Sequence, residues 1–312
     1  MPLRSCKAGA RPVVLCAGIA VEDFIFEVEH FPAPGEKIQA QSLLAITGGC
    51  AANAALAVAR LGGIACFAGP VGTDDASRRI LAGLAQAGID VSGVERVDGG
   101  SVSVSGIFID GAGEKMVATR PGEKLAAARP SDPHALVVDP DVVMADNRFP
   151  DFVQPICEAA RVRGIPVIVD GDLATQLDDP LFAIATHVVF SSEALRATTG
   201  RSDLAVALSR AAASIDGFLA VTNGPDDVLW MDAGAVRAMP VFAVDTVDTL
   251  GAGDTFHGAF ALAIAEGCDA VTAMQFAAAA AAVKCTRFGG ISGTPLRAEV
   301  EAFLSARASV LK

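Results

Sequence analysis

The stretch "VDTVDTLGAGDTFHGAFALAIAEG", residues 244 to 267, sets small residues between two acids and runs straight into an apolar segment with helical spacing. A turn of small residues at a helix start leaves backbone N–H groups without partners and aims them at one spot, which makes an anion site. The N–H groups of Gly251, Ala252 and Gly253 are the candidate donors. Asp254 follows at once, and a carboxylate beside a bound anion is repelled by it unless the chemistry needs a base there. A base next to an anion hole is what transfer of a charged group to a hydroxyl requires. A tight strand-to-helix turn with Asp254 as an N-terminal helix charge would explain the same residues, so a second signal is needed.

That signal is "TGGCAANAALAVARLGG", starting at Thr47. Gly48 and Gly49 permit close backbone approach, and Asn53 offers both a donor and an acceptor to a hydroxyl-bearing ligand. Together "DTLGAGDTFHGAF" and this Gly-Gly segment resemble the two signatures of the phosphofructokinase-B/ribokinase family of carbohydrate kinases, in family order and about two hundred residues apart. "AGIAVEDFI", "GPVGTDD", "DGD", "VTNG" and "KCTRFGG" also fall in that order, so the resemblance spans nearly the whole chain.

The resemblance implies an ATP-dependent sugar kinase with Asp254 as base and Gly251, Ala252 and Gly253 as anion hole. It puts Asp23, Gly48, Gly49 and Asn53 on the acceptor, with Thr222, Gly224, Thr249, Lys284 and Gly289 on the nucleotide side. It also implies Mg2+, and a monovalent cation such as K+ near Asp248. The family's N-x-x-E motif for magnesium is incomplete: "VFSSEALRATTG" has Phe190 or Ser191 where the asparagine would lie, which leaves Glu193 as the metal-side carboxylate. Within the family, "MADNRFPD", "VDGDLAT", "HVVFS" and "KCTRFGG" are similar to sulfofructose kinases. Arg148 matches the arginine that takes the anionic end of their acceptor, a fit for forked hydrogen bonding. Thr119 stands where they carry a lid asparagine, and Glu36 at a small glycine position, where a carboxylate would repel a sulfonate. Arg120 is a second candidate for the acceptor.

These residues need a scaffold. "PVVLCAGIA", "ACFAGPVG", "ALVVDPDVVMAD", "IPVIVDGD", "THVVFSS" and "GFLAVTNG" read as strands, alternating with helical patterns such as "CAANAALAVARLGG" and "DDASRRILAGLAQAGI". Near-continuous apolar strands between helices predict a doubly wound α/β fold, a mainly parallel sheet covered on both faces. Residues 22–46 and 101–120 alternate without a following helix, the second around a turn at Asp110 to Gly113. They are expected to form a small β-sheet appended to a single kinase domain of residues 1–312, as a lid or a dimer surface.

Composition narrows the partners. The 312 residues carry 36 acidic and 24 basic side chains, a net charge of -12, with no Lys/Arg cluster, so nucleic acid is not an expected partner. Seven scattered cysteines suggest neither a disulfide framework nor a zinc site, and favour a reducing cytoplasm. The first twelve residues lack the apolar run of a secretory signal, and no run is long enough to span a bilayer. His257 lies one helical turn after Asp254 and is expected to pack on a helix face. Two rivals stay open: a nucleoside kinase, which would want aromatic stacking partners in the small sheet where the chain offers Phe24, Phe26, Phe31 and Phe108 but no Tyr, and a non-catalytic sugar sensor, whose usual origin is loss of the base. A dinucleotide oxidoreductase would need G-x-G-x-x-G after the first strand, where "CAGIAVED" stands instead.

Overall fold

The computed structural model describes residues 11–308. The N-terminal segment read above as lacking a signal lies largely outside them. The strands in chain order are β1 Val13–Ala17, β2 Val21–Glu27, β3 Ser42–Gly48, β4 Ile64–Ala68, β5 Pro70–Val71, β6 Glu95–Arg96 and β7 Ser103–Ile109. They continue as β8 Lys115–Arg120, β9 Val142–Asp146, β10 Val167–Gly171, β11 His187–Ser191, β12 Phe218–Asn223, β13 Asp226–Asp232 and β14 Ala235–Met239. The helices are α1 Cys50–Arg60, α2 Asp75–Gln86, α3 Pro133–Leu136, α4 Pro150–Val162 and α5 Pro180–Ile184, then α6 Ser192–Thr199, α7 Leu204–Ala211, α8 Ala252–Ala265, α9 Ala270–Cys285 and α10 Arg297–Ala308.

The main sheet runs β14-β13-β12-β11-β10-β9-β1-β4. It is parallel from β4 to β12, with β13 and β14 added antiparallel. Every residue of β9 and β10 is buried, as a strand covered on both faces requires. One face packs on α1, α2, α8 and α9, the other on α4, α5 and α7. This is the doubly wound body expected from the alternating pattern. The strand order switches direction between β1 and β9, so a crevice opens beyond their C-terminal ends, where open α/β sheets bind ligands.

Two details differ from the sequence reading. "ALVVDPDVVMAD" is not one strand: Asp132 accepts the N–H groups of His134 at 3.1 Å and Ala135 at 3.0 Å, Pro133 sits at the first helical position, and α3 forms before β9 begins at Val142. The hairpin β13–β14 was not anticipated: its apolar run over residues 228–231 is bounded by aspartates and followed by no helical pattern. In the second sheet, order β3-β2-β7-β8, β2 pairs parallel with β7 and antiparallel with β3. Its inward residues Ile25, Ile107 and Ile109 pack on Leu250 and Phe288, so the sheet rests beside the turn at Gly251.

Small residues set the closeness of α1 and α8. A Cβ on Gly258 would come within 2.5 Å of the Ala54 carbonyl oxygen, so only glycine lets the helices approach. That approach brings Asn53 of α1 to the start of α8.

Candidate active site

Asp254 stands in the first turn of α8, and Asn53 Nδ2 donates to its Oδ2 at 2.6 Å. Burial pushes the Asp254 carboxyl up to about 6, and the Asn53 hydrogen bond pulls against that rise. Gly251 caps the helix in the left-handed region at φ 76, without a side-chain cap. The N–H of Ala252 donates to Thr249 O at 3.2 Å, so it closes the turn and does not serve the predicted anion hole. Gly253 is exposed, with open space where a Cβ would project. Its N–H and that of Asp254 have no acceptor among the described residues. The open donors are thus Gly253 and Asp254, and the helix dipole adds to them.

Asp23 lies on β2, buried, and burial raises its carboxyl to about 6 against the hydrogen bond from Ser105. Gly48 is opposite Val21 on β3, and a Cβ there would sit 1.9 Å from Asp23 Oδ2. Gly49 has φ 94, and its Cβ would meet the Ile19 carbonyl at 2.7 Å. Both glycines are therefore steric necessities where β3 runs into α1 beside Asp23. Across the second sheet Asp23, Ser105 and Thr119 are in register, with Ser105 Oγ 3.0 Å from Thr119 Oγ1. They form one polar row on one face. Phe24, Phe26 and Phe108 alternate with it and belong to the opposite face, where Phe26 and Phe108 stack at 5.3 Å.

Several groups at the C-terminal ends of β9 and β10 were not anticipated. Asp146 is fully buried and accepts the N–H groups of Ile19 at 2.7 Å, Arg148 at 3.0 Å and Ala51 at 3.2 Å. It caps α1 from outside the helix and so aims Asn53. Asp170 pairs with His257, Nε2 to Oδ1 at 3.4 Å, both buried. Burial raises the Asp170 carboxyl and lowers the His257 imidazole, while His257 Nδ1 lies 2.9 Å from Gly253 O and so ties the pair to the turn that carries Asp254. His257 therefore does more than pack. Cys50 Sγ lies within 4.8 Å of oxygens of Asp170 and Asp254, and burial among carboxylates keeps its thiol protonated. The available signal was an acid closing each apolar strand, "VVMAD" and "VIVDGD".

Arg148 pairs with Asp172, just past the end of β10. Three predicted residues point elsewhere. Arg120 is exposed and held by Glu123 at 2.8 Å, away from the acceptor row. Lys284 and Gly289, expected to touch nucleotide, are buried and turned inward: Lys284 Nζ lies 2.7 Å from Asp248 O and 3.3 Å from Asp248 Oδ2, and Gly289 N–H donates to that same Oδ2 at 3.1 Å. On the nucleotide side, Thr222 is half-buried at the end of β12 in register with Ser191, and Gly224 makes the β12–β13 turn at φ 58 with open space beside it. Thr249 is exposed in the turn before α8.

Residues 12–297 match the profile of the pfkB family carbohydrate kinases. The chain belongs to the PfkB family. It is 30% identical over 286 residues to the ribokinase of Bacillus subtilis, covering 91% of this chain and 96% of that one. The crystal structure of an Agrobacterium tumefaciens protein provisionally named a ribokinase superposes with a TM-score of 0.91 at 37% identity, covering 97% of this chain and 100% of that one. Arabidopsis thaliana ribokinase, solved with ribose and ATP, gives a TM-score of 0.80 at 26% identity, covering 95% and 99%. This PfkB protein is an ATP-dependent sugar kinase.

Two ions implied above meet different fates. The Glu193 carboxylate is exposed at the head of α6 and bonded to no other side chain among the described residues, so it fits a role toward the Mg2+ that travels with ATP. Ser191 Oγ is spent on capping α6, at 3.2 Å from Ala194 N, and Phe190 is buried in the core, so neither replaces the missing asparagine. K+ does not fit at Asp248. Its Oδ1 accepts Leu250 N–H at 2.7 Å, its Oδ2 accepts Gly289 and Gly290 N–H and faces Lys284, and its carbonyl accepts Lys284.

Proposed function

We propose that this kinase transfers the γ-phosphoryl group of ATP to a primary hydroxyl of a neutral pentose or ketose. The carrying observation is the Asn53–Asp254 contact at the head of α8, beside the unpaired N–H groups of Gly253 and Asp254. A sugar hydroxyl oxygen attacks the γ-phosphorus, the bond to the ADP oxygen breaks, and the hydroxyl proton passes to Asp254. Asn53 holds that carboxylate in place. The open N–H groups and the α8 dipole stabilise charge on the transferring oxygens. Asp23 accepts from hydroxyls further along the sugar, with Ser105 and Thr119 beside it. Thr222, Gly224 and Thr249 flank the nucleotide; Mg2+, with Glu193 toward it, neutralises its phosphates when bound.

A neutral acceptor follows from the charge around the crevice. Asp23, Asp172 and Asp254 stand there against one guanidinium, Arg148, which Asp172 already neutralises. An anionic sugar such as sulfofructose would have to break that pair. Glu36, by contrast, is no argument against it, because it is tied within its own loop to Ala33 N–H at 2.8 Å and His30 at 3.2 Å. A nucleoside acceptor is disfavoured, since the aromatic residues of the second sheet lie on the face opposite Asp23.

The test is ADP release with ATP and Mg2+ against ribose, fructose, fructose 6-phosphate, ribose 1-phosphate, 6-deoxy-6-sulfofructose and adenosine. Preference for ribose or fructose supports the neutral acceptor, and preference for a phosphorylated or sulfonated sugar overturns it. We further propose that the enzyme is a cytoplasmic homodimer whose second sheet serves as lid and contact surface. Among the described residues no helix is long and apolar enough to cross a membrane.

A further inference from the structure

Lys284 is fully buried, yet it belongs to the turn of α9 that meets the loop before α8. A lysine is seldom placed so deep unless its charge is used. Its ammonium reaches both the carbonyl and the carboxylate of Asp248, at 2.7 and 3.3 Å. Asp248 in turn fixes the backbone on both sides of the anion-binding turn: Oδ1 holds Leu250 N–H, one residue before Gly251, and Oδ2 holds Gly289 N–H at 3.1 Å and Gly290 N–H at 2.8 Å. A Cβ on Gly251 would sit 3.2 Å from Ile291 N, so the 289–291 segment is the wall against which the turn is built. Val247 and Asp248 also donate their N–H groups to Cys285 O, at 2.8 and 3.2 Å, which ties the loop to the end of α9 beside Lys284.

We propose that Lys284 is a built-in monovalent cation: a positioning residue whose ammonium neutralises Asp248 and keeps the Leu250–Asp254 turn assembled, so that the enzyme needs no exchangeable cation from solution. A buried carboxylate that accepts three N–H groups calls for a counter-ion, and Lys284 stands in that place. Metal ions and water-borne ammonium can fill such a place, but here the chain supplies the ion on a stem anchored in α9. The proposal rests on the kinase reading for its activity arm and is independent of it for its stability arm.

The experiment compares wild type with Lys284→Ala and Lys284→Met in K+, Na+, NH4+ and tetramethylammonium salts at equal ionic strength. Wild-type kcat and melting temperature are expected to vary less than twofold and less than two degrees among the four. Lys284→Ala, which leaves an ammonium-sized space, should lose about a hundredfold in kcat in tetramethylammonium and recover at least tenfold in K+ or NH4+, with little change in the KM for sugar. Its melting temperature should rise in the same two salts, and Lys284→Met, which fills the space with an apolar chain, should show no recovery. Several-fold activation of wild type by K+ overturns the proposal, as does an alanine variant with wild-type kcat in tetramethylammonium. If no sugar is phosphorylated, the kinase reading fails, while the melting data on wild type and alanine variant still decide whether Lys284 occupies a cation place.

Discussion

Asp248 and Asp254 come from one short stretch of sequence, and the fold treats them in opposite ways. Asp248 is closed: both oxygens are taken by N–H groups, Lys284 stands against it, and it is 1% exposed. Asp254 is open: one amide holds one oxygen, and burial leaves its carboxyl raised to about 6. A satisfied carboxylate shapes backbone, whereas an under-satisfied one keeps the capacity to take a proton. The same residue type thus serves structure or chemistry according to how many donors reach it.

The contrast can be broken most strongly at Asp254. Asp254→Asn is expected to lower kcat by about three orders of magnitude, the range of a lost general base, while a sugar that wild type phosphorylates still raises the variant's melting temperature. Retained turnover in this variant would remove Asp254 from the chemistry. The same substitution should stabilise the protein at pH 8. A free aspartate titrates near 4, and Asp254 in the fold at about 6, so above pH 6 the ionised group costs stability that the neutral amide does not. As pH falls through 6 the folded wild type takes up its proton before the unfolded chain does, and the variant's advantage should shrink between pH 6 and pH 4. Thermal melts across pH 4–8 check the sign.

Next in size is Gly48→Ala, whose Cβ would displace the Asp23 carboxylate. Roughly a tenfold rise in sugar KM is expected with kcat less affected, a cost in the range of core overpacking. Asn53→Ala should move the acid limb of the kcat profile to higher pH by roughly one unit, because the hydrogen bond that lowers the Asp254 carboxyl is gone. An unmoved limb would mean that Asn53 does not act on the base. The smallest effect on activity is expected on the outer face of the second sheet, where Leu43 and Met116 are 55% and 45% exposed beside Phe26 and Phe108. Leu43→Asp should leave kcat within twofold and shift sedimentation from dimer to monomer; a wild type that sediments as a monomer removes the homodimer.

The parallel body was legible because strands such as "VIVDG" are apolar on both faces and the helices keep their spacing. The closeness of Asp254 to Asn53 and of Gly48 to Asp23 follows two glycine-rich stretches that the sequence shows at a strand end and a helix start. Lys284 was misread: nothing in "AAVKCTRFGG" tells that the ammonium turns into the protein, since that depends on Asp248 lying opposite in space. Arg120 was misread for a similar reason, as its exposed neighbour Glu123 captures it. The convergence of Asp146, Asp170 and Asp172 was not legible, because a carboxylate closing a strand becomes informative only when the neighbouring strand and helix ends are known to meet at it.

The start of α1 hangs on Asp146, whose oxygens reach Ile19 across 127 residues of chain, Ala51 across 95 and Arg148 across 2. The first two close long loops, the kind of non-local contact that slows folding. Until β9 has taken its place beside β1, the helix that carries Asn53 lacks this cap. The Asn53 side of the site is therefore complete only once β9 has paired with β1, so the start of one helix is finished by a strand that follows it by some ninety residues.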